Sequence, residues 1–184
     1  MARAESSMMT IGTPAPGFAL EDVVSGRTVT LRTARAGRGL LVMFLCRHCP
    51  FVKHLDAGLA QLGRDYQGKG IGIVAISSND ATAFPEDSPE SLKEQAVEFG
   101  FSFPYLYDET QDTARAYDAQ CTPDFFLFDA DLKLAYRGQF DDSRPGNGRP
   151  VTGVDLRAAM DALLDGRPVS AEQRPSIGCS IKWK

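Results

Sequence analysis

The stretch Leu40-Leu41-Val42-Met43-Phe44-Leu45-Cys46-Arg47-His48-Cys49-Pro50 decides the reading of this chain. An unbroken apolar run of this length is what a strand buried on both faces needs, and it stops at a cysteine. Past Pro50, the apolar residues Phe51, Val52, Leu55, Leu59 and Leu62 recur every three to four positions, with Lys53, Asp56 and Arg64 on other faces. That spacing predicts a helix leaving the strand. The segment Ile71-Gly72-Ile73-Val74-Ala75-Ile76 predicts a second buried strand. Strand, helix and strand make a right-handed βαβ unit with parallel pairing.

Working outward, Phe18 to Asp22 and Thr28 to Leu31, separated by Ser25-Gly26, predict a hairpin extension ahead of the main fold. Ser88-Pro89-Glu90 is a strong helix start, because the hydroxyl can cap free amides and proline fits the first turn; the helix is expected to reach Phe99. A short helix near Thr113 to Tyr117 precedes two strands, Phe125 to Phe128 and Leu132 to Tyr136, predicted to form an antiparallel edge. Val154 to Leu164 predicts a last helix, ended by Gly166 and Pro168. The order gives an α/β fold, a central mixed sheet flanked by helices. The expected division is a flexible terminus over 1–10, one domain over 11–167 and a tail over 168–184.

Composition narrows the function classes. The 184 residues carry a formal net charge of −4. That leaves no basic footprint for nucleic acid or anionic lipid. No stretch predicts a signal peptide or a membrane span, so a cytoplasmic protein is expected. Four cysteines are too few for a disulfide scaffold in a chain this long, and in a reducing compartment close spacing points to redox chemistry or metal.

Cysteines three apart on a first helical turn can meet in a disulfide. Cys46, at the strand end, is expected beside unpaired amides and the positive helix end, which lower its pKa and make it the attacking thiolate. Cys49, shielded one turn inside, is expected to resolve a mixed disulfide. His48 is expected either to stabilise the Cys46 thiolate or to face solvent. A zinc site would need further ligands from His48, His54, Cys121 and Cys179, which are singly placed, and no metal or other cofactor is expected. Lys53, His54 and Asp56 are candidates for taking the Cys49 proton.

From Gly12 to about Gly166 the chain resembles the thioredoxin superfamily. The segments Cys49-Pro50-Phe51-Val52-Lys53-His54, Asp141-Asp142-Ser143-Arg144-Pro145-Gly146-Asn147 and Ile177-Gly178-Cys179-Ser180-Ile181-Lys182-Trp183 resemble more closely its peroxiredoxin-like, AhpC/TSA-related bacterial branch. The resemblance implies a thioredoxin-like fold and a cis proline at Pro123, in Cys121-Thr122-Pro123-Asp124-Phe125-Phe126, packed against the cysteine pair. Arg47, His48, Thr122 and Pro123 are then the expected substrate contacts, with Thr122 offering backbone hydrogen bonds. The implied partners are a protein or small-molecule thiol or disulfide, with a thioredoxin-type reductant among the candidates.

The chain departs from both relatives of the pattern. The peroxiredoxin proline and threonine positions hold Val42 and Cys46, and the peroxide-binding arginine falls at Pro123. The buried acid that thioredoxins keep six residues before the first cysteine is Leu40 here. Thiol-disulfide exchange is therefore the leading expectation, a thiol-dependent peroxidase the second, and a non-catalytic binding module the third. Cys121 and Cys179 are accessory thiols, either inert or, if the tail docks, bridged to each other or used for resolution. The 141–148 loop is expected to be a braced turn before the last helix, or else a substrate rim.

Overall fold

A computed structural model describes residues 3–184. The expected first strand is β4, Gly39–Phe44, with every residue buried. Its side chains alternate between two cores. Leu41 and Met43, with Leu45 beyond the strand end, pack with Val52, Leu55, Leu59, Leu92, Leu156 and Met160. Leu40, Val42 and Phe44 pack with Val74, Ile76, Ala114, Tyr117 and Phe126 on the other side. A continuous apolar run is thus the sequence mark of a strand with helices on both faces.

Helix α2, Pro50–Tyr66, has Cys49 as its N-cap residue and proline in its first turn. It returns the chain to β5, Ile71–Ser77, which lies parallel to β4 with Val42 opposite Val74. Helix α3, Pro89–Phe99, starts where Ser88 Oγ accepts from Ser91 N and stops at Gly100, whose left-handed φ of 66° relieves the chain turn. Strand β6, Tyr105–Tyr107, continues the parallel set beside β5. Strands β8, Asp124–Phe128, and β9, Leu134–Gly138, form the antiparallel edge next to β4. The short helices α1, Leu31–Ala34, and α4, Asp112–Ala116, cover one sheet face, and α5, Val154–Leu164, covers the other.

The predicted hairpin is β2, Ala19–Asp22, with β3, Thr28–Thr30. It is more than an extension: Glu21 and Asp22 pair with Tyr107 and Leu106, so the sheet runs β3-β2-β6-β5-β4-β8-β9. The two ends of the chain meet in a second, smaller sheet. Strand β1, Arg3–Glu5, pairs with β10, Ile177–Ser180, which in turn pairs with β7, Cys121–Thr122. Within the 1–10 segment Arg3–Glu5 are thus paired, and the tail takes the docked course of the two considered. Main-chain groups in an exposed tail would be free to bond water; here the β7 edge offers them partners instead.

Candidate active site

Cys46 and Cys49 lie where β4 gives way to α2, and both side chains are fully buried. The Thr122–Pro123 peptide is cis, as the resemblance implied. Thr122 faces both thiols: its Oγ1 is 3.1 Å from Cys46 Sγ, and its carbonyl oxygen is 3.2 Å from Cys49 Sγ.

The distribution of charge between the two cysteines reverses the expectation. The helix begins one residue after Cys49, so its positive end serves Cys49 rather than Cys46. The amides next to Cys46 are already taken, because Arg47 N and His48 N donate to Asp87 Oδ1 at 2.8 and 3.0 Å. Burial, the hydrogen bond to Cys49 and the Asp87 charge all push the Cys46 thiol well above its ordinary pKa. Cys49 moves down: the hydrogen bond from Cys46 outweighs its own burial, with help from Cys179 and the Val52 amide. The Thr122 carbonyl, which can accept only from a thiol, opposes this shift without reversing it.

Asp87 is the residue that sequence reasoning missed. It sits in the short 3-10 turn Pro85–Asp87 and is fully buried. Burial would raise its pKa, but hydrogen bonds from the His48 ring, the Asn79 amide and the His48 backbone hold it below the usual carboxylate range. Its Oδ2 accepts from Asn79 Nδ2 at 2.8 Å and from His48 Nδ1. A carboxylate can only accept, so Nδ1 carries a proton, and in the neutral imidazole Nε2 is the nitrogen with the lone pair. That Nε2 is buried without a hydrogen-bond partner. His48 is therefore not a solvent-facing residue; it is 8% exposed and stacks on Phe84 with ring centroids 5.2 Å apart. No local signal marks Asp87, which lies forty positions from Arg47.

Cys46 Sγ, a His48 ring nitrogen and an Asp87 oxygen all lie within 4.8 Å of one another, so this trio has metal-ligand spacing. The four N–H groups on Asp87 already fill the lone pairs that an ion would need. The other ligands considered from sequence do not converge. His54 Nε2 is 2.7 Å from Ser143 Oγ, and Cys121 turns its thiol to the Pro123 carbonyl at 3.5 Å. Burial pushes the Cys121 thiol far up, as fits an inert side chain.

Cys179 does converge. Its Sγ lies 2.7 Å from Cys49 Sγ, so the tail cysteine meets Cys49 and not Cys121. Of the candidate proton acceptors, Asp56 is buried and hydrogen-bonded by Gln95, and burial raises its pKa to about 6. It is two helical turns past Cys49, roughly 10 Å along the axis, too far for direct transfer. Arg47 and Lys53 instead line, with His48, Glu86 and Ser91, a groove of about 230 Å³. Arg47 is fixed there by Glu94 at 2.6 Å. The 141–148 loop is a braced turn: Asp142 pairs with Arg149, and Asp141 caps the start of α5 through the Thr152 and Gly153 amides, both at 2.6 Å.

The AhpC/TSA family profile matches residues 11–137. The chain belongs to the AhpC/TSA family. It is 28% identical over 130 residues to the thiol-disulfide oxidoreductase ResA of Geobacillus thermodenitrificans, covering 71% of this chain and 70% of that protein. It is similar to the crystal structure of an uncharacterized conserved protein from Geobacillus kaustophilus, with 59% identity and a TM-score of 0.98 over 100% of this chain and 97% of that one. A thiol:disulfide interchange protein of the thioredoxin family from Chlorobium tepidum superposes with a TM-score of 0.64 at 18% identity, covering 84% of this chain and 98% of that chain. The fold of this AhpC/TSA-family chain is thioredoxin-like, and among its described residues no helix is long and apolar enough to cross a membrane.

Proposed function

We propose that the protein is a thiol-disulfide oxidoreductase in which Cys46 attacks a substrate disulfide and Cys49 resolves the product. The observation that carries this reading is the convergence of both thiols on cis Thr122–Pro123, with the His48–Asp87 pair beside Cys46 alone. A buried Cys46 thiol needs a base to become a nucleophile, and His48 Nε2 supplies the free lone pair. Asp87 holds the tautomer in which that lone pair exists and balances the imidazolium that forms.

The Cys46 proton passes to His48, and the thiolate attacks one sulfur of the substrate disulfide. The S–S bond breaks, and the departing thiolate takes the proton from His48. Cys49 then gives up its proton as its sulfur attacks Cys46 Sγ, and the second substrate sulfur leaves as a thiolate that takes up a proton. The substrate gains two electrons and ends as two thiols; the protein ends with a Cys46–Cys49 disulfide. An external dithiol returns it to the reduced state, and with an oxidised protein and a dithiol substrate the same steps run backward. The relative's name, a thiol-disulfide oxidoreductase, supports the reaction class. Cys46→Ser is expected to abolish reduction of a disulfide such as oxidised glutathione; turnover retained in that variant contradicts the proposal.

A further inference from the structure

Strand β10 lies against the residue before the cis proline, with Cys179 opposite Thr122 and Ser180 opposite Cys121. The main chain of Thr122, expected from the resemblance to receive substrate, is therefore paired with the protein's own tail. The fit is close: a Cβ on Gly178 would overlap the Thr122 carbonyl oxygen and crowd Pro123 N at 3.0 Å, so only glycine lets the strand lie there. Beyond the strand, Ile181 N donates to Gln120 O at 3.2 Å, and Lys182 N donates to Asn79 Oδ1 at 2.9 Å. The same Asn79 side chain donates to Asp87. The tail is thus registered both to the thiols and to the His48–Asp87 pair.

A buried cysteine usually serves as a small apolar side chain. Cys179 differs in what it touches, because its sulfur meets the sulfur of Cys49 at 2.7 Å. Cys49 is consequently flanked by Cys46 on one side and Cys179 on the other.

We propose that Cys179 is a third redox thiol that takes the disulfide over from the Cys46–Cys49 pair. The proposal rests on the reading that Cys46 and Cys49 exchange disulfides. Burial pushes the Cys179 thiol up to about 12, so it reacts as a thiol. Once the Cys46–Cys49 disulfide exists, Cys179 gives up its proton as its sulfur attacks Cys49 Sγ. The Cys46–Cys49 bond breaks, a Cys49–Cys179 bond forms, and Cys46 leaves as a thiolate and takes up the proton that Cys179 gave up. No net electron transfer occurs in this step; the two-electron oxidation moves from the substrate-facing thiol to the tail. An external dithiol then attacks Cys179, releases Cys49 as a thiol, and closes the cycle by forming its own disulfide.

Reduced protein, treated with one equivalent of oxidised glutathione, quenched with an alkylating agent and peptide-mapped by mass spectrometry, tests this. Wild type is expected to give both Cys46–Cys49 and Cys49–Cys179 disulfides. With diamide as oxidant, Cys46→Ser is expected to give Cys49–Cys179 alone. Cys179→Ser is expected to form Cys46–Cys49 in a single turnover but to lose about tenfold in steady-state turnover with dithiothreitol, the loss of a pre-positioned thiol. Gly178→Ala keeps every cysteine and displaces the strand; its Cys49–Cys179 yield is expected to fall while Cys46–Cys49 persists. The proposal is overturned if Cys46→Ser forms no Cys49–Cys179 disulfide, or if Cys179→Ser matches wild type in steady state. Absence of Cys46–Cys49 in every protein, Cys179→Ser included, would instead overturn the underlying exchange reaction.

Discussion

Asp87 and Asp124 are both fully buried carboxyls close to the cysteine region, and they are built to opposite ends. Asp124 ends on a counter-charge: Arg137 Nη1 is buried without a hydrogen bond but lies in ion-pair contact with the carboxylate. Arg137 pairs with its Oδ1 at 3.0 Å and donates to its Oδ2 at 3.2 Å, and Ser6 Oγ and Gln120 N complete the set at 2.8 and 3.1 Å. Arg137 also lies over the Phe126 ring, 3.6 Å from its centroid. Asp87 is just as fully bonded, but its chain of hydrogen bonds ends at His48 Nε2, which has no partner, and a ring nitrogen of this histidine lies within 4.8 Å of Cys46 Sγ. A buried charge whose network ends within the core acts on stability; one whose network ends in a free lone pair beside a nucleophile is equipped to move a proton.

The largest effect is expected from removing the charge at the Asp124 site. Asp124→Asn leaves the Arg137 guanidinium buried without its counter-charge, a loss of about 3–5 kcal/mol. Urea unfolding should record that loss, while turnover per folded molecule stays close to wild type. A variant of ordinary stability with lost turnover would erase the distinction between the two acids.

Asp87→Asn is expected to lose, besides stability, the turnover per folded molecule that Asp124→Asn keeps. Its amide cannot serve all the N–H groups that now converge on the carboxylate, and the His48 tautomer is no longer fixed. The exchange rate should fall about 10²-fold, the range of a lost general base. His48→Gln should reproduce most of that fall without the loss of stability. The stability difference between wild type and Asp87→Asn should also depend on acid. The Asp87 pKa is lower in the folded than in the unfolded protein. Its contribution is therefore complete above the unfolded value, about 4, and is lost as pH falls through the lower folded value. Urea titrations at pH 7 and pH 3 check the convergence of the two proteins.

A third buried carboxyl sharpens the contrast with the smallest effect. Asp56 titrates at about 6 in the folded protein because burial opposes its charge. The folded state thus holds a proton that the unfolded chain has already lost between pH 4 and 6, and stability falls as pH rises through that window. Asp56→Asn keeps the acceptor for Gln95 and removes the titration, so at pH 8 the variant is expected to gain about 1–2 kcal/mol relative to its comparison with wild type at pH 4.

Much of this architecture was legible in the chain because the signals were local. The apolar run ending at Cys46, the spacing after Pro50, and Ser88-Pro89 each specify an element without reference to distant residues. The cysteine pair was legible for the same reason, and Pro123 through resemblance. What sequence did not reveal was made by residues far apart: Asp87 taking the Arg47 and His48 amides, Asn79 joining Asp87 to the tail, and Cys179 meeting Cys49 across 130 positions. The inverted charge of the pair follows from these contacts. An expectation built on helix ends alone placed the low pKa on Cys46, because it could not foresee that a buried carboxylate already occupied the neighbouring amides.

The central claim, that Cys46 is the attacking thiol, is tested most directly by trapping. Cys49→Ser, reduced and then exposed to oxidised glutathione, is expected to carry one glutathione on Cys46 when peptide-mapped by mass spectrometry. An adduct on Cys121 or Cys179 with Cys46 unmodified, or no adduct at all, would contradict it.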